Sequence, residues 1–166
     1  IRASGTNQDG RSSGITAPNG AAKEALLRAT LQRAGLAATD VDFIEAHGTG
    51  TTLGDPIEVR AIGAVYGARP ADRPLHIGSV KTNFGHLEAT AGLAGFVKAV
   101  LALQHGEIPP HLHLDERNPH VDWASLPISI PTTLQPWVPG AADVKRRAAV
   151  SSFGFSGTNA HVILEQ

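Results

Sequence analysis

Two short apolar runs, Val41–Ala46 and His76–Val80, each lead into a loop of small and polar residues and then into a helix-period pattern. Strands that alternate with helices in this way imply an α/β layer fold, with helices packed on a sheet. The first run reads as a buried strand ending at His47. Asp55, Pro56 and Glu58 then read as N-cap, first helical residue and capping-box partner of a helix. Its Val59, Ile62, Gly63 and Tyr66 recur at i, i+3, i+4 and i+7. After the second run, the loop Lys81–Gly85 opens a helix from about His86 to Gln104. Leu93, Phe96, Val97, Val100 and Leu101 read as its core-facing stripe.

The flanks extend the pattern. Ile1–Ser4 reads as a strand and Gly5–Gly20 as loop chemistry. Asn19 or Gly20 opens a helix through about Ala34, with Leu27, Leu31 and Ala34 on one face and Gly35 as the stop. Arg147–Phe153 and His161–Leu164 read as two strands around the turn Gly154–Asn159. The stretch from Gly106 to Gly140 carries seven of the eleven prolines, with only Ile128–Ile130 strand-like. Its Trp123 and Trp137 argue for an ordered surface excursion, 106–140, inside one domain of residues 1–166.

Composition removes several function classes. A net charge of −1 without a basic stripe argues against nucleic-acid binding. No apolar stretch approaches a membrane span and no secretory leader is visible, so a cytoplasmic setting is expected. There is no Cys, hence no disulfide, no thiolate nucleophile and no thiolate metal ligand. The chain also lacks Met and begins with Ile1, which reads as an excised or incomplete piece.

Three loops concentrate the reactive side chains: His47-Gly-Thr-Gly-Thr51, Lys81-Thr-Asn-Phe-Gly-His86 and Phe153-Gly-Phe-Ser-Gly-Thr-Asn159. Ligands of open α/β sheets bind where such loops leave the carboxyl ends of strands. Taken alone, the first loop also fits a structural glycine turn, and it lacks the Gly-Lys-Ser/Thr of a nucleotide-binding loop. His86, read at a helix N-terminus, is expected to be a neutral ring that can donate to an oxyanion, or else a helix cap. His111, His113 and His120 read as surface histidines rather than a metal site, and His161 as structural. Ser79, Ser151 and Ser156 lack a Gly-x-Ser-x-Gly elbow, which disfavours a hydrolase.

Together these loops, with Asn7-Gln-Asp-Gly10, Thr16-Ala-Pro-Asn-Gly20, Gly54-Asp-Pro-Ile-Glu58 and Asn159-Ala-His-Val162, resemble the C-terminal half of the β-ketoacyl synthases. The resemblance covers the whole chain, and the first two of these segments look more like modular type I polyketide synthases than discrete fatty-acid enzymes. It implies the C-terminal half of a thiolase-like fold, a mixed sheet layered with helices. It also implies decarboxylative condensation of a malonyl-type unit with an acyl thioester held on a Cys. By the same resemblance, His47 and His86 would stabilise the enolate oxygen, and Lys81 would balance the histidines through a carboxylate such as Glu88. Thr49 and Thr51 would contact a phosphopantetheine arm, and Phe155 would gate the last loop, its N–H joining an oxyanion hole. Asn83 and Asn159 would hold loops.

No cofactor is expected on the chain itself, since substrates would arrive on the 4'-phosphopantetheine of an acyl carrier protein. The implied partners are that carrier, a Cys-bearing N-terminal half and a second copy in a homodimer. Without the Cys, the isolated chain is expected to be inactive. The rival reading is a non-catalytic thiolase-like scaffold that binds a carrier protein or another subunit.

Overall fold

Side chains of a strand point alternately to its two faces, and at the centre of this molecule both faces are buried. In β2 (Phe43–Glu45), Phe43 enters one apolar cluster with Ala99, Leu103 and Trp137, whereas Ile44 enters another with Leu27, Ile62 and Tyr66. The same split recurs at Ala148 and Ala149 of β7 (Arg147–Phe153). A strand covered on both sides needs helices above and below it. The chain supplies α1 (Gly20–Ala34) and α2 (Gly54–Tyr66) to one cluster and α4 (Ala91–His105) to the other. The computed structural model describes residues 1–10, 18–138 and 145–166.

Around β2 and β7 the sheet is completed by β1 (Ala3–Gln8), β3 (Leu75–Gly78), β5 (Ile128–Ser129) and β8 (Thr158–Glu165). The order is β1-β8-β7-β2-β3-β5, antiparallel across β1, β8 and β7 and parallel from β7 through β5. Short strands β4 (Glu107–Ile108) and β6 (Gln135–Pro136) pair separately. They tie the proline-rich segment back on itself, and Trp137 packs edge-on against Phe43 at 5.9 Å. No helix is long and apolar enough to cross a membrane among the described residues.

The first strand runs through Gln8, where the sequence reads as loop from Gly5, because its edge pairs with β8 along that whole length. Three further local expectations need correction. The helix after β2 begins at Gly54, and its N-cap residue is Leu53, which has no side-chain cap to offer. Asp55 folds back to accept the Gly50 N–H at 3.1 Å, and Glu58 is spent elsewhere. The capping box read from Asp55 and Glu58 is therefore absent. Next, Lys81–Phe84 is not a loop but a single helical turn, α3, and the long helix starts at Ala91 rather than His86. His86 accordingly has no helix N-terminus beneath it.

The third correction concerns α4. Its buried residues are Ala91, Gly95, Ala99, Ala102 and Leu103, while Leu93 is 64% exposed and Val97 and Leu101 are 47% exposed. A Cβ on Gly95 would lie 3.0 Å from Glu45 Cγ, so the helix rides close to the sheet on its smallest residues. Phe96 and Val100 of the expected stripe do pack on the core, part-buried. Apolar residues ring this helix nearly all round, however, and with Leu93, Val97 and Leu101 periodicity alone picked the bulky face. Close approach selects the small one.

Candidate active site

The loop after β2 is shaped by one glycine and one carboxylate. Gly48 has φ +47, and a Cβ there would stand 2.8 Å from the Cβ of Ser79, just past β3. Only glycine allows that backbone to lie against the neighbouring strand end. Glu58, one turn into α2, is buried and accepts the backbone N–H groups of His47 at 2.8 Å and Gly48 at 2.9 Å. Burial pushes its carboxyl up to about 7 against the pull of those two donors, with Asp55 pushing it up and Lys23 pulling it down. Glu58 thus fixes the position of the catalytic candidate, a role the capping reading concealed.

His47 is held from a second side by β7. The Phe153 N–H donates to His47 Nδ1 over a long 3.4 Å, and the two rings pack 5.4 Å apart. A ring nitrogen that accepts a backbone N–H carries no hydrogen, so the hydrogen of a neutral imidazole sits on Nε2. Neutrality follows from the surroundings. Burial first, then the charges of Lys81, His86 and Lys23, push His47 down to about 3.

His86 lies 5.6 Å from His47, ring centroid to centroid and edge to face. It follows Gly85, whose φ of +74 turns the chain out of α3. Its Nδ1 accepts the Glu88 N–H at 2.9 Å, which again leaves Nε2 as the ring donor. The turn that makes this contact puts Glu88 itself at φ +47. Both histidines, together with Thr49, Thr51, Phe153 and Phe155, line a cavity of about 310 Å³.

The remaining sequence candidates divide. Thr49 and Thr51 hydroxyls stand 3.3 Å apart at the cavity, and Thr51 Oγ1 also accepts the Gly54 N–H at 3.1 Å. Phe155 is 79% exposed in the last loop. Lys81, the first residue of α3, does not pair with Glu88. Burial lowers its pKa, and the carboxylates that pull it back are Glu58, Glu45 and Asp55. Glu88 is exposed and contributes only its backbone N–H among the described residues.

Asn159 is fully buried and donates to Asp9 Oδ1 at 2.8 Å and Asn7 Oδ1 at 3.1 Å. Asn83 is exposed and makes no side-chain hydrogen bond to the protein among the described residues. The motif segment 16–20 falls partly outside the described residues, since residues 11–17 are not among them.

Of the other histidines, His113 and His120 are exposed, but His111 is half-buried and burial lowers its pKa. His161 is enclosed between Tyr66 and Ser151. Among the described residues no group of three or more His, Asp or Glu side chains could hold a metal ion.

Sequence reasoning missed Glu58, Lys23, Phe153 and the buried pair Lys98–Glu45, whose Nζ and Oε2 are 2.7 Å apart. Burial pushes Glu45 up, and Lys98 with the Val80 N–H pulls it back. Its position two residues before His47 was the available signal.

With this geometry in place, comparison with known proteins is informative. Residues 1–115 match the family described as "Beta-ketoacyl synthase, C-terminal domain", and residues 118–166 match "Ketoacyl-synthetase C-terminal extension". A phenolphthiocerol/phthiocerol polyketide synthase of Mycobacterium tuberculosis is 58% identical over all of the chain, which spans 9% of that protein. The spectinabilin polyketide synthase system protein NorB of Streptomyces orinoci is likewise 58% identical, with 8% of its length spanned.

Two solved structures superpose with a TM-score of 0.94, each covering the whole chain and 30% of the larger molecule. They are an oxazolomycin ketosynthase domain of Streptomyces albus JA3453, at 40% identity, and the ketosynthase from module 6 of the bacillaene synthase of Bacillus subtilis 168, at 41%. The chain therefore corresponds to a small part of its curated relatives.

Proposed function

The chain belongs to the β-ketoacyl synthase family, whose C-terminal domain it matches, and from that premise we propose that it supplies the decarboxylation half of a polyketide-forming condensation site. A malonyl-type thioester would lose its carboxylate as CO2, and the bonding pair would remain as an enolate. That enolate carbon would attack an acyl thioester on a Cys of the N-terminal half and expel the Cys thiolate. His47 and His86 would each direct Nε2–H at the thioester oxygen as it becomes negative. Preorganised donors of this kind stabilise charge that appears only in the transition state.

One observation carries the reading. Two rings 5.6 Å apart line one cavity, and each has Nδ1 occupied by a backbone N–H, which leaves Nε2–H as the free donor of each ring. Glu58 keeps the His47 backbone in place, and Lys81 helps keep that ring uncharged. The Thr49 and Thr51 hydroxyls suit the amides of a phosphopantetheine arm, and Phe155 suits a gate. A carrier protein, a Cys-bearing N-terminal half, a homodimer and a cytoplasmic setting belong to the same proposal, with no cofactor held by these residues.

A non-catalytic scaffold would need neither tautomer to be fixed. The test uses the complete domain, these residues preceded by a Cys-bearing half, with malonyl- and acyl-carrier proteins. Release of CO2 with elongated product is expected, and no CO2 release would overturn the reading. The 166 residues alone are expected to elongate nothing, since they contain no Cys to carry the acyl chain.

A further inference from the structure

Lys23, on the first turns of α1, is 3% exposed, yet it lines the histidine cavity. A buried ammonium loses hydration and needs compensation from its surroundings. Here the compensation is specific. Nζ donates to Asn159 Oδ1 at 3.2 Å and stands 3.6 Å from the centroid of the Phe153 ring. Asn159 is aligned for this by its own donations to Asn7 and Asp9. A cation held over an aromatic face restrains the ring as well as itself. Phe153 is the residue that packs on the His47 ring and donates its backbone N–H to His47 Nδ1.

We infer that Lys23 is a positioning residue for His47: its ammonium pins the Phe153 ring, and Phe153 in turn sets the orientation and tautomer of the His47 imidazole. The inference rests on the condensing reading and adds a residue to it. Charge works in the same direction as geometry. Lys23 joins Lys81 and His86 in disfavouring a protonated His47, and burial lowers Lys23's own pKa while Asp9 and Glu58 support its charge. A protonated His47 would turn an Nδ1 hydrogen against the Phe153 N–H, two donors facing each other. Glu58, which accepts the His47 backbone N–H, and Asp9 are the acidic residues that line the same cavity.

A plain tether, in which Lys23 only joins α1 to β8 through Asn159, makes different predictions. The experiment compares Lys23→Met, Lys23→Gln and Lys23→Arg in the complete domain. Gln keeps a donor for Asn159 but no charge for the ring, whereas Arg keeps both. The kcat for CO2 release is expected to fall about tenfold to a hundredfold in the Met and Gln variants, the size of effect a misplaced catalytic group brings. KM and acyl loading of the Cys should stay unchanged, and Arg should recover the rate. Nitrogen NMR of labelled histidine should show a bare Nδ1 on His47 in the parent and in Lys23→Arg, and averaged ring nitrogens in the Met and Gln variants.

Recovery by Gln, or loading and CO2 release falling together, would overturn the inference in favour of the tether. So would a His47 whose nitrogens remain distinct in both uncharged variants. A parent domain with a fixed His47 tautomer that releases no CO2 would instead sink the condensing reading and leave the role of Lys23 standing.

Discussion

His47 and His161 are both pushed down to about 3, and they differ in everything else that matters. His161 sits in β8 with no exposure, and burial alone accounts for its shift. Both of its nitrogens are engaged, Nε2 with the Tyr66 hydroxyl at 2.9 Å and Nδ1 with the Ser151 hydroxyl at 3.0 Å. His47 sits past a strand end, at a cavity, where burial is joined by three nearby charged or titratable groups. One nitrogen is taken by Phe153, and the other has no protein partner among the described residues. A depressed pKa reports an environment. What marks a group for chemistry is a donor or acceptor left idle at a space where a ligand fits.

The comparison is easiest to break with the largest effect. His47→Ala in the complete domain is expected to lower decarboxylation about 10²–10³-fold, the cost of one oxyanion donor. Denaturant midpoints should barely move. If the rate survives, His47 is no different in kind from His161.

The second effect is on stability. His161→Ala empties a fully enclosed site and orphans two hydroxyls, which should cost about 3 kcal/mol. Equilibrium unfolding measures that loss, and the folded fraction should keep its turnover. A catalytic deficit out of proportion to the stability loss would contradict the assignment of His161 to the core.

Tyr66→Phe is a finer cut. It deletes only the Nε2 partner of His161, and a buried hydrogen bond of this type is worth about 1–2 kcal/mol. The unfolding midpoint should fall accordingly, with the rate of CO2 release unchanged. An unchanged midpoint would mean that the Tyr66–His161 contact contributes nothing to the core.

The last effect is the pH slope of stability. Each of the two histidines has a folded pKa near 3 against an ordinary value of 6.5. Each contribution is therefore complete above about pH 6.5 and lost as pH falls toward 3. Glu58 runs the other way. Its pKa rises from 4.5 to about 7, so its contribution is complete below 4.5 and lost as pH rises through 7. His161→Gln and His47→Gln should each flatten the acid side of a plot of unfolding midpoint against pH. Only the second should also cost activity.

Much of the framework was legible from sequence. The helix from Gly20 to Ala34, its stop at Gly35 and the strand Arg147–Phe153 appear where periodicity and turn residues put them. Asn19 does cap α1, accepting the Ala22 N–H at 3.2 Å. Local signals failed where a residue had both a local and a distant use. Glu58 is spaced for a cap, but the orphan donors of the His47 loop compete for it and win, because they are part-buried and have no other partner among the described residues. The face of α4 was misjudged for a related reason. Hydrophobicity ranks Leu above Gly, whereas the distance to the sheet ranks Gly above Leu.

By itself, the sequence determined most of the elements, the family and which side chains to propose as reactive. Those depend on residue type and spacing along one chain, and the motifs around His47, Lys81 and Phe153 are contiguous. Tertiary structure decided which nitrogen of each imidazole carries the hydrogen, which carboxylate holds the His47 loop, and that a lysine from α1 stands over Phe153. Each of these depends on hydrogen bonds or contacts formed between residues at positions no local pattern connects, such as 23 with 153 and 47 with 153. Burial then sets their strength, and burial exists only once the sheet and its helices have packed.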